Sequence, residues 1–311
     1  MPLLGLSARL GVVALVAAVS GCALSGRADD GDGSTPSSTV DPAPSVLADE
    51  IGSAAPIVVA AGDIARTGND AARATASLIQ SMRPDAVLAL GDNAYEDGSL
   101  GEYRNNYDPT WGRFKSITRP VPGNHDYGTG NAAGYYRYFA SQIHGDEYYA
   151  WNAGRWRMYA LNCEVDCGSG SEQLAWLQAD LTTHPRRPAL AYVHEPRFTC
   201  STRHPPETEL SAVWSALQGG RGRIMLAAHN HAYERFAKLD AQGRRDPDGL
   251  RLFVVGTGGA GLYPLKESCP NRQAAQDDEH GVLKLRLGTK RFSWKFITIN
   301  DRVLDKGRGQ V

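Results

Sequence analysis

The chain has 311 residues, and its 33 Lys and Arg nearly balance its 34 Asp and Glu, giving a formal net charge of −1. This balance supplies no overall basic field, so we expect no nucleic-acid partner. Hydrophobic residues make up 42% of the sequence, which excludes a wholly disordered chain and allows a substantial core.

The first 22 residues have the pattern of an export signal. Arg9 precedes an apolar run over residues 10–19, which is too short to span a bilayer but suits a secretory signal. Val19-Ser20-Gly21-Cys22 resembles a bacterial lipobox, in which Cys22 would be lipidated and become the mature N-terminus. An ordinary signal peptide with an incidental Cys is the alternative. We therefore predict an exported cell-surface lipoprotein anchored in the membrane, or else a secreted protein.

Residues 23–55 are predicted to be a disordered tether. They are rich in Ser, Pro, Asp, Gly and Ala and have no apolar period. Such a segment buries too little surface to offset the entropy of ordering it. Residues 56–311 contain no second linker and no internal repeat, so they are predicted to form one folded domain.

The five cysteines fit an oxidising compartment. With Cys22 assigned to lipid, four remain, and four cysteines can pair in three ways that the sequence does not distinguish. The short spacing of Cys163 and Cys167 favours a local loop clasp over a zinc knuckle. Cys200 and Cys269 would then join two long loops.

Two Gly-Asp pairs follow the first two predicted strands. The apolar run 57–61 ends in Gly62-Asp63, a helical pattern covers residues 70–82, and the run 86–90 ends in Gly91-Asp92. This order predicts a parallel βαβ unit with both aspartates at the carboxyl edge of the sheet, where ligand sites gather. Either aspartate alone could be a helix cap or a turn residue. Two equivalent pairs favour a ligand site.

A third polar cluster, Gly123-Asn124-His125-Asp126, follows an extended segment over residues 119–122. Asn124 alone could be a simple turn former. Together the cluster offers a neutral oxygen ligand, an imidazole, and a carboxylate to orient that imidazole.

The remaining chain alternates predicted strands and helices. The predicted elements are a meander over 148–151 and 157–161, helices over 172–181 and 209–217, and buried strands over 189–193 and 223–228. The strand 189–193 ends in His194. The runs 252–255, 282–287 and 292–299 are predicted to complete a second sheet.

Two histidines, His229 and His231, follow the strand 223–228 directly. At positions i and i+2 past a strand end they would project toward one site, and imidazole is a common metal ligand. Alone, such a pair is more often two surface histidines. Here the polar clusters after four other runs supply the further ligands that a metal centre needs.

In order and kind, these motifs resemble those of the calcineurin-like metallophosphoesterases. The motifs are Gly62-Asp63, Gly91-Asp92-Asn93-Ala94-Tyr95, Gly123-Asn124-His125-Asp126, Val193-His194 and His229-Asn230-His231. Most members carry a His two residues after the first Asp, where this chain has Ala65. Purple acid phosphatases lack that His and have a Tyr three residues after the second Asp, as this chain does at Tyr95. The resemblance to purple acid phosphatases covers roughly residues 56 to 300.

The resemblance implies an α/β fold over residues 56–311, a four-layer α/β/β/α sandwich of two mixed β-sheets flanked by helices. It also implies two metal ions bridged by Asp92. Fe(III) would be held by Asp63, Asp92, Tyr95 and His231, and Zn, Mn or Fe(II) by Asp92, Asn124, His194 and His229. Phenolate and carboxylate suit ferric iron, whereas imidazole and amide oxygen suit the divalent ion.

The implied activity is hydrolysis of small phosphomonoesters by metal-bound hydroxide. His125, followed by Asp126, is the first candidate for the general acid, and His204 is the second, because purple acid phosphatases carry another substrate-facing His in that loop. A phosphodiesterase or nucleotide hydrolase would use the same ligands. Seven intact ligand positions argue against an inactive surface binding protein and against a mononuclear zinc hydrolase. The sequence does not predict the oligomeric state.

Overall fold

The computed structural model describes Gly52, residues 54–68 and residues 70–311. The predicted signal, Cys22 and nearly all of the predicted tether lie outside these residues. The strands are β1 Ile57–Ala61, β2 Ala86–Ala89, β3 Tyr149–Ala153, β4 Trp156–Ala160, β5 Ala189–Tyr192, β6 Gly222–Ala227, β7 Tyr233–Leu239, β8 Leu250–Val255, β9 Arg272–Gln276, β10 Gly281–Leu287, β11 Arg291–Thr298 and β12 Val303–Gln310. The helices are α1 Ala71–Met82, α2 Leu100–Glu102, α3 Ala133–Tyr138, α4 Ala140–Ile143, α5 Glu172–Thr183 and α6 Leu210–Gly219, with a π-helical turn at Tyr103–Tyr107 and a 3₁₀ helix at Trp111–Ile117. Within the described ranges, no helix has both the length and the apolar character needed to cross a membrane.

Two mixed sheets form the fold. The five-stranded sheet has the order β12-β11-β10-β1-β2, and its β1–β2 pair is parallel as predicted. The seven-stranded sheet has the order β3-β4-β5-β6-β8-β7-β9, with β4, β5, β6 and β8 running parallel. The predicted α/β architecture of two mixed sheets flanked by helices is confirmed.

The predicted membership of the second sheet is wrong. The sequence predicts that the runs 252–255, 282–287 and 292–299 share one sheet. Instead β8 pairs with β6, whereas β10 pairs with β1 and β11 continues from β10. The reason is pairing between distant segments. β1 pairs with β2 along one edge, and β10 of the hairpin β10–β11 pairs along its other edge.

Side-chain alternation along β5 shows how the layers pack. Leu190 and Tyr192 belong to an apolar cluster that also contains residues of β1 and β10. Ala189 and Ala191 belong to a second cluster, with apolar residues of α5 and α6. Successive residues of a strand face opposite sides of the sheet, so one face of the seven-stranded sheet meets the other sheet and one meets these helices.

The carboxyl ends of strands from both sheets are joined by backbone hydrogen bonds. The Gly62 N–H after β1 donates to the Val255 carbonyl of β8 at 2.9 Å. The Ala228 N–H after β6 donates to the His194 carbonyl after β5 at 2.8 Å. These links bring the polar motifs that follow the strands to one place.

Candidate metal centre

One group of side chains surrounds the hydroxyl of Tyr95. That oxygen lies 3.0 Å from Asp63 Oδ1, 3.0 Å from Asp92 Oδ2 and 3.1 Å from His231 Nε2. His231 Nε2 is also 3.3 Å from Asp63 Oδ1. All four residues are at most 5% exposed, so they form a buried cluster of potential ligand atoms.

A second group lies on the other side of Asp92. His194 Nε2 is 3.4 Å from Asp92 Oδ2, and His229 Nδ1 is 3.2 Å from His194 Nε2. Asp92 therefore contacts both groups. The neighbouring Glu195, which the sequence analysis did not single out, also has a carboxylate oxygen within ligand distance of the two imidazoles.

Backbone carbonyls fix which imidazole nitrogen faces the cluster. His194 Nδ1 is 2.8 Å from the Leu90 carbonyl, and His231 Nδ1 is 2.5 Å from the Gly261 carbonyl. Because a carbonyl can only accept, each Nδ1 must carry a hydrogen, and each Nε2 is the nitrogen that faces the cluster. This arrangement is typical of metal-ligating histidines, whose second nitrogen donates to a carbonyl or carboxylate.

The backbone at the cluster is strained. Asp63, Asp92 and His229 have φ of 57°, 48° and 64°, in the left-handed region that L-residues seldom adopt. Such strain is concentrated at functional sites and persists where surrounding structure enforces it. Here Gly123 allows close approach, since a Cβ on it would lie 2.4 Å from Asp92 Oδ1.

Burial and charge set the protonation of these groups. Burial raises the pKa of Asp92, but the charge and hydrogen bond of His194 outweigh burial, and the pKa is lowered overall. The pKa of His229 is lowered to about 3, first by burial and then by the charge of His194, so this imidazole is neutral. Burial, followed by the charges of Asp63 and Asp92, raises the pKa of Tyr95 well above its usual value. The phenol is therefore protonated unless a cation replaces its proton.

The cluster is suited to binding metal cations. Asp63 Oδ2 is buried and lacks a hydrogen-bond partner within the described part of the chain. A buried carboxylate oxygen without a donor is costly unless a positive ion neutralises it. Asp63, Asp92 and His231 each offer a ligand atom within 4.8 Å of the others, as do His194, Glu195 and His229.

The predicted ligand Asn124 lies at the exposed side of the cluster. Its neighbour Gly123 packs against Asp92 and His194, and the backbone N–H of His125 donates to Asp92 Oδ1 at 2.9 Å. Asn124 itself is exposed. Asn124 is therefore adjacent to the two groups of side chains and takes no part in the contacts described above between their members.

The two candidate acids occupy different sides of the centre. His125 Nε2 is 3.9 Å from Asp92 Oδ2, and its Nδ1 is 2.5 Å from the Glu96 carbonyl. The His204 ring lies 4.2 Å from that of His229, centroid to centroid. Both rings are partly exposed, so both reach the surface above the buried cluster.

The expectation that Asp126 orients the His125 ring is wrong. Asp126 is fully buried and accepts hydrogen bonds from Asn93, from the Gly123 N–H at 3.0 Å and from the Tyr103 hydroxyl at 2.6 Å. The tight turn from Gly123 folds the carboxylate back beneath the motif. The Glu96 carbonyl contacts the imidazole instead.

Sequence reasoning missed a ring that covers His231. Tyr263 stacks on the His231 imidazole with a centroid distance of 3.9 Å and an interplanar angle of 8°. The Arg203 guanidinium lies over the Tyr263 ring, 5.2 Å from its centroid. Tyr263 lies in the loop between β8 and β9, more than thirty residues after His231, and belongs to none of the motifs. Its contact with His231 is therefore visible only in the tertiary structure.

Both predicted disulfides are confirmed. Cys163 pairs with Cys167, and Cys200 pairs with Cys269. The second bridge joins the loop that carries His204 to the loop that carries Tyr263. Its sulfurs are thus not available as metal ligands.

Comparison with known proteins agrees with the motifs. The calcineurin-like phosphoesterase family matches residues 57–236. The chain is 27% identical over 270 residues to purple acid phosphatase 22 of Arabidopsis thaliana, covering 77% of this chain and 59% of the relative. It is 29% identical over 274 residues to purple acid phosphatase 21 of the same plant, covering 78% and 60%. The chain thus spans about 60% of the length of these relatives.

A solved structure shares the fold. The purple acid phosphatase PPD1 from yellow lupin seeds superposes with a TM-score of 0.66 at 16% identity, covering 81% of this chain and 53% of the lupin chain. At this identity the likeness bears on the fold alone.

Proposed function

Because the chain belongs to the calcineurin-like phosphoesterase family and is similar to its purple acid phosphatases, we propose that it is a dinuclear-metal hydrolase of phosphomonoesters. The observation that carries the proposal is the position of Asp92 Oδ2, which lies 3.0 Å from the Tyr95 hydroxyl of one ligand group and 3.4 Å from His194 Nε2 of the other. A carboxylate between two ligand groups is suited to bridging two cations.

The residues divide between two metal positions. Asp63, Tyr95 and His231 would hold a ferric ion with Asp92, and Asn124, His194 and His229 would hold Zn, Mn or Fe(II) with Asp92. The first set has three oxygen donors and one imidazole, and the second has two of each, which matches the preferences of these ions. When bound, two such cations neutralise the phosphate oxygens and lower the pKa of water.

The chain itself supplies orientation and proton transfer. The exposed side of the cluster is bordered by His125, His204, Tyr263 and Arg203, so a phosphate at the centre would meet imidazole and guanidinium donors. Transfer goes directly to water, and no side chain needs to become phosphorylated. The domain that does this is residues 56–311, exported and tethered through residues 23–55.

The test combines metal analysis with a substrate panel. The purified protein is expected to contain two metals per chain, to be coloured by phenolate-to-iron charge transfer, and to hydrolyse phosphomonoesters faster than phosphodiesters. Tyr95→Phe should remove the colour, whereas Tyr159→Phe, a tyrosine bonded to Asp180 elsewhere, should keep it.

Three results would count against parts of the proposal. Faster hydrolysis of diesters or nucleotides would reassign the substrate class. A colourless, active protein containing only zinc or manganese would keep the ligand set and remove the iron. Loaded metals with no hydrolysis of any phosphoester would reject the enzyme.

A further inference from the structure

Three lysines form a row across neighbouring strands. Lys284 of β10 lies opposite Lys295 of β11, which in turn lies opposite Lys306 of β12. Within the described part of the chain, none of the three has an ion pair or a hydrogen bond from its side chain. Like charges directly opposite one another destabilise a sheet. The opposed lysines therefore destabilise this part of the sheet.

Two arginines extend this row into a basic face. Arg286 of β10 and Arg308 of β12 both lie opposite Ser293 of β11. With the three lysines they line a shallow groove of about 720 Å³, and none of the described residues that line it is acidic. We call these five cations the lysine face. The formal net charge of −1 does not reveal this basic face, because it sums the charges of the whole chain.

Strand alternation places the lysine face on the outside of the sheet. Trp294 and Phe296 of β11 are buried, whereas Lys295 between them is exposed, as is Lys306 opposite. At the start of β12, Val303 and Leu304 are the exposed large apolar residues, with 45% and 36% of their surface accessible. A cationic surface with exposed apolar side chains at its edge is suited to a partner that is anionic and partly apolar.

The lysine face lies where the described chain begins and away from the metal centre. Arg286 Nη2 donates to the Gly52 carbonyl at 3.3 Å. Arg286 also lies opposite Ile57, the first residue of β1, whereas Asp63 follows the other end of that strand. β1 runs over 5 residues from Ile57 to Ala61, so its two ends lie roughly 13 Å apart.

We propose that the lysine face docks on a bilayer that contains anionic lipid, and that docking directs the metal centre away from the membrane. The three lysines stand at matched positions of three neighbouring strands, so they can approach one bilayer surface together. The predicted tether ends beside this face, so a lipid on Cys22 would hold it near the bilayer. Each lysine near an anionic surface strengthens binding about five-fold. The inference goes beyond the proposed phosphatase activity and does not depend on it.

The experiment measures binding to vesicles. The full chain carrying Cys22→Ala, which cannot be lipidated, is sedimented with vesicles of phosphatidylcholine alone or mixed with phosphatidylglycerol. The parent is expected to bind the mixed vesicles and to be released by salt. Lys284→Gln, Lys295→Gln and Lys306→Gln together should weaken that binding roughly 100-fold.

A matched variant removes the same charge elsewhere. Arg104→Gln, Arg137→Gln and Arg186→Gln together alter three exposed cations outside β10–β12 and should leave vesicle binding nearly unchanged. Thermal unfolding and nitrophenyl phosphatase activity of both variants check that the fold is intact. Equal binding by the two triple variants would overturn the proposal. The proposal would also be overturned if the Cys22→Ala parent did not bind vesicles that contain phosphatidylglycerol but did bind a soluble polyanion such as heparin. That result would indicate that the lysine face binds an anionic polymer.

Discussion

In the proposed reaction, two histidines in different surroundings are the candidates to protonate the leaving group. The Glu96 carbonyl accepts from His125 Nδ1, so His125 Nε2 is the nitrogen that faces the centre, 3.9 Å from Asp92 Oδ2. The pKa of His204 is lowered, first by burial and then by the charge of His231. A histidine with a lowered pKa is protonated over less of the pH range, which makes His204 less suited to donate a proton.

Replacing each histidine separates an acid from a phosphate binder. His125→Ala is expected to slow hydrolysis of an alkyl phosphate about 10²–10⁴-fold, with metal content retained. The loss should be much smaller on nitrophenyl phosphate, whose leaving group hardly needs a proton. His204→Ala should slow both substrates alike, and His184→Ala, beside Asp180, serves as the remote control. An equal loss on both substrates for His125→Ala would make it a phosphate binder instead.

Asp126 is a positioning residue beneath the centre. Asp126→Asn removes acceptor capacity from the Gly123 N–H, Asn93 and Tyr103, and each buried donor left without a partner costs roughly 1–3 kcal/mol. Because Gly123 packs on Asp92, the change should reduce both the free energy of unfolding and the metal affinity. Denaturant titration and metal analysis measure the two effects.

A partly buried carboxylate elsewhere provides the matched control. Asp180 of α5 accepts from the Arg157 guanidinium and from the Tyr159 hydroxyl, outside the metal motifs. Asp180→Asn should also lower the free energy of unfolding, while metal content stays normal. If both variants lost metal equally, the loss would reflect general destabilisation, and the positioning role would be wrong.

Among the elements, the two loops joined by Cys200 and Cys269 shape the rim of the centre. Glu234 of β7 is fully buried and accepts from the Thr199 hydroxyl at 2.5 Å and from the Cys200 N–H. The loop that carries His204 is thus fixed by both a covalent bond and a buried carboxylate. Tyr263, on the partner loop, depends on the same attachment.

Removing this bridge should affect stability and substrate binding together. Cys200→Ser with Cys269→Ser opens a loop of 69 residues, a loss of roughly 4 kcal/mol by chain entropy. The KM for phosphomonoesters should rise, since His204 and Tyr263 lose their support. Cys163→Ser with Cys167→Ser, separated by 4 residues, should cost roughly 2 kcal/mol and leave KM unchanged. If KM were unchanged after loss of the Cys200–Cys269 bridge, the two loops would keep His204 and Tyr263 in position without that bridge.

For the whole molecule, we predict two separate attachments to the membrane, a lipid on Cys22 and the lysine face. Lipidation of Cys22 stays a prediction from the sequence, since that residue lies outside the described part. Cys22→Ala should release the protein from membranes at high salt, where the lysine face alone is screened, whereas the wild type should stay bound. Fractionation of cells at low and high salt measures this. A wild type that is wholly soluble and cleaved at another residue would reject the anchor.

Some features of this protein follow from short stretches of sequence. Asp63 and Asp92 lie at the carboxyl edge of a parallel pair because each directly follows its own apolar strand. His229 and His231 likewise follow β6 without a break. The nearness of such residues needs only the geometry of parallel strands.

Other features depend on pairing between distant segments. The sheet that receives β10 and β11, the partners of Asp126 and the position of Tyr263 over His231 all depend on contacts that no local pattern records. β12 shows the reason most clearly. Its Gly307 and Gly309 weaken any strand signal in the sequence, yet a Cβ on Gly307 would lie 2.2 Å from the Trp294 ring. Only the packed tryptophan explains the glycine, and only the resulting strand brings Lys306 beside Lys295.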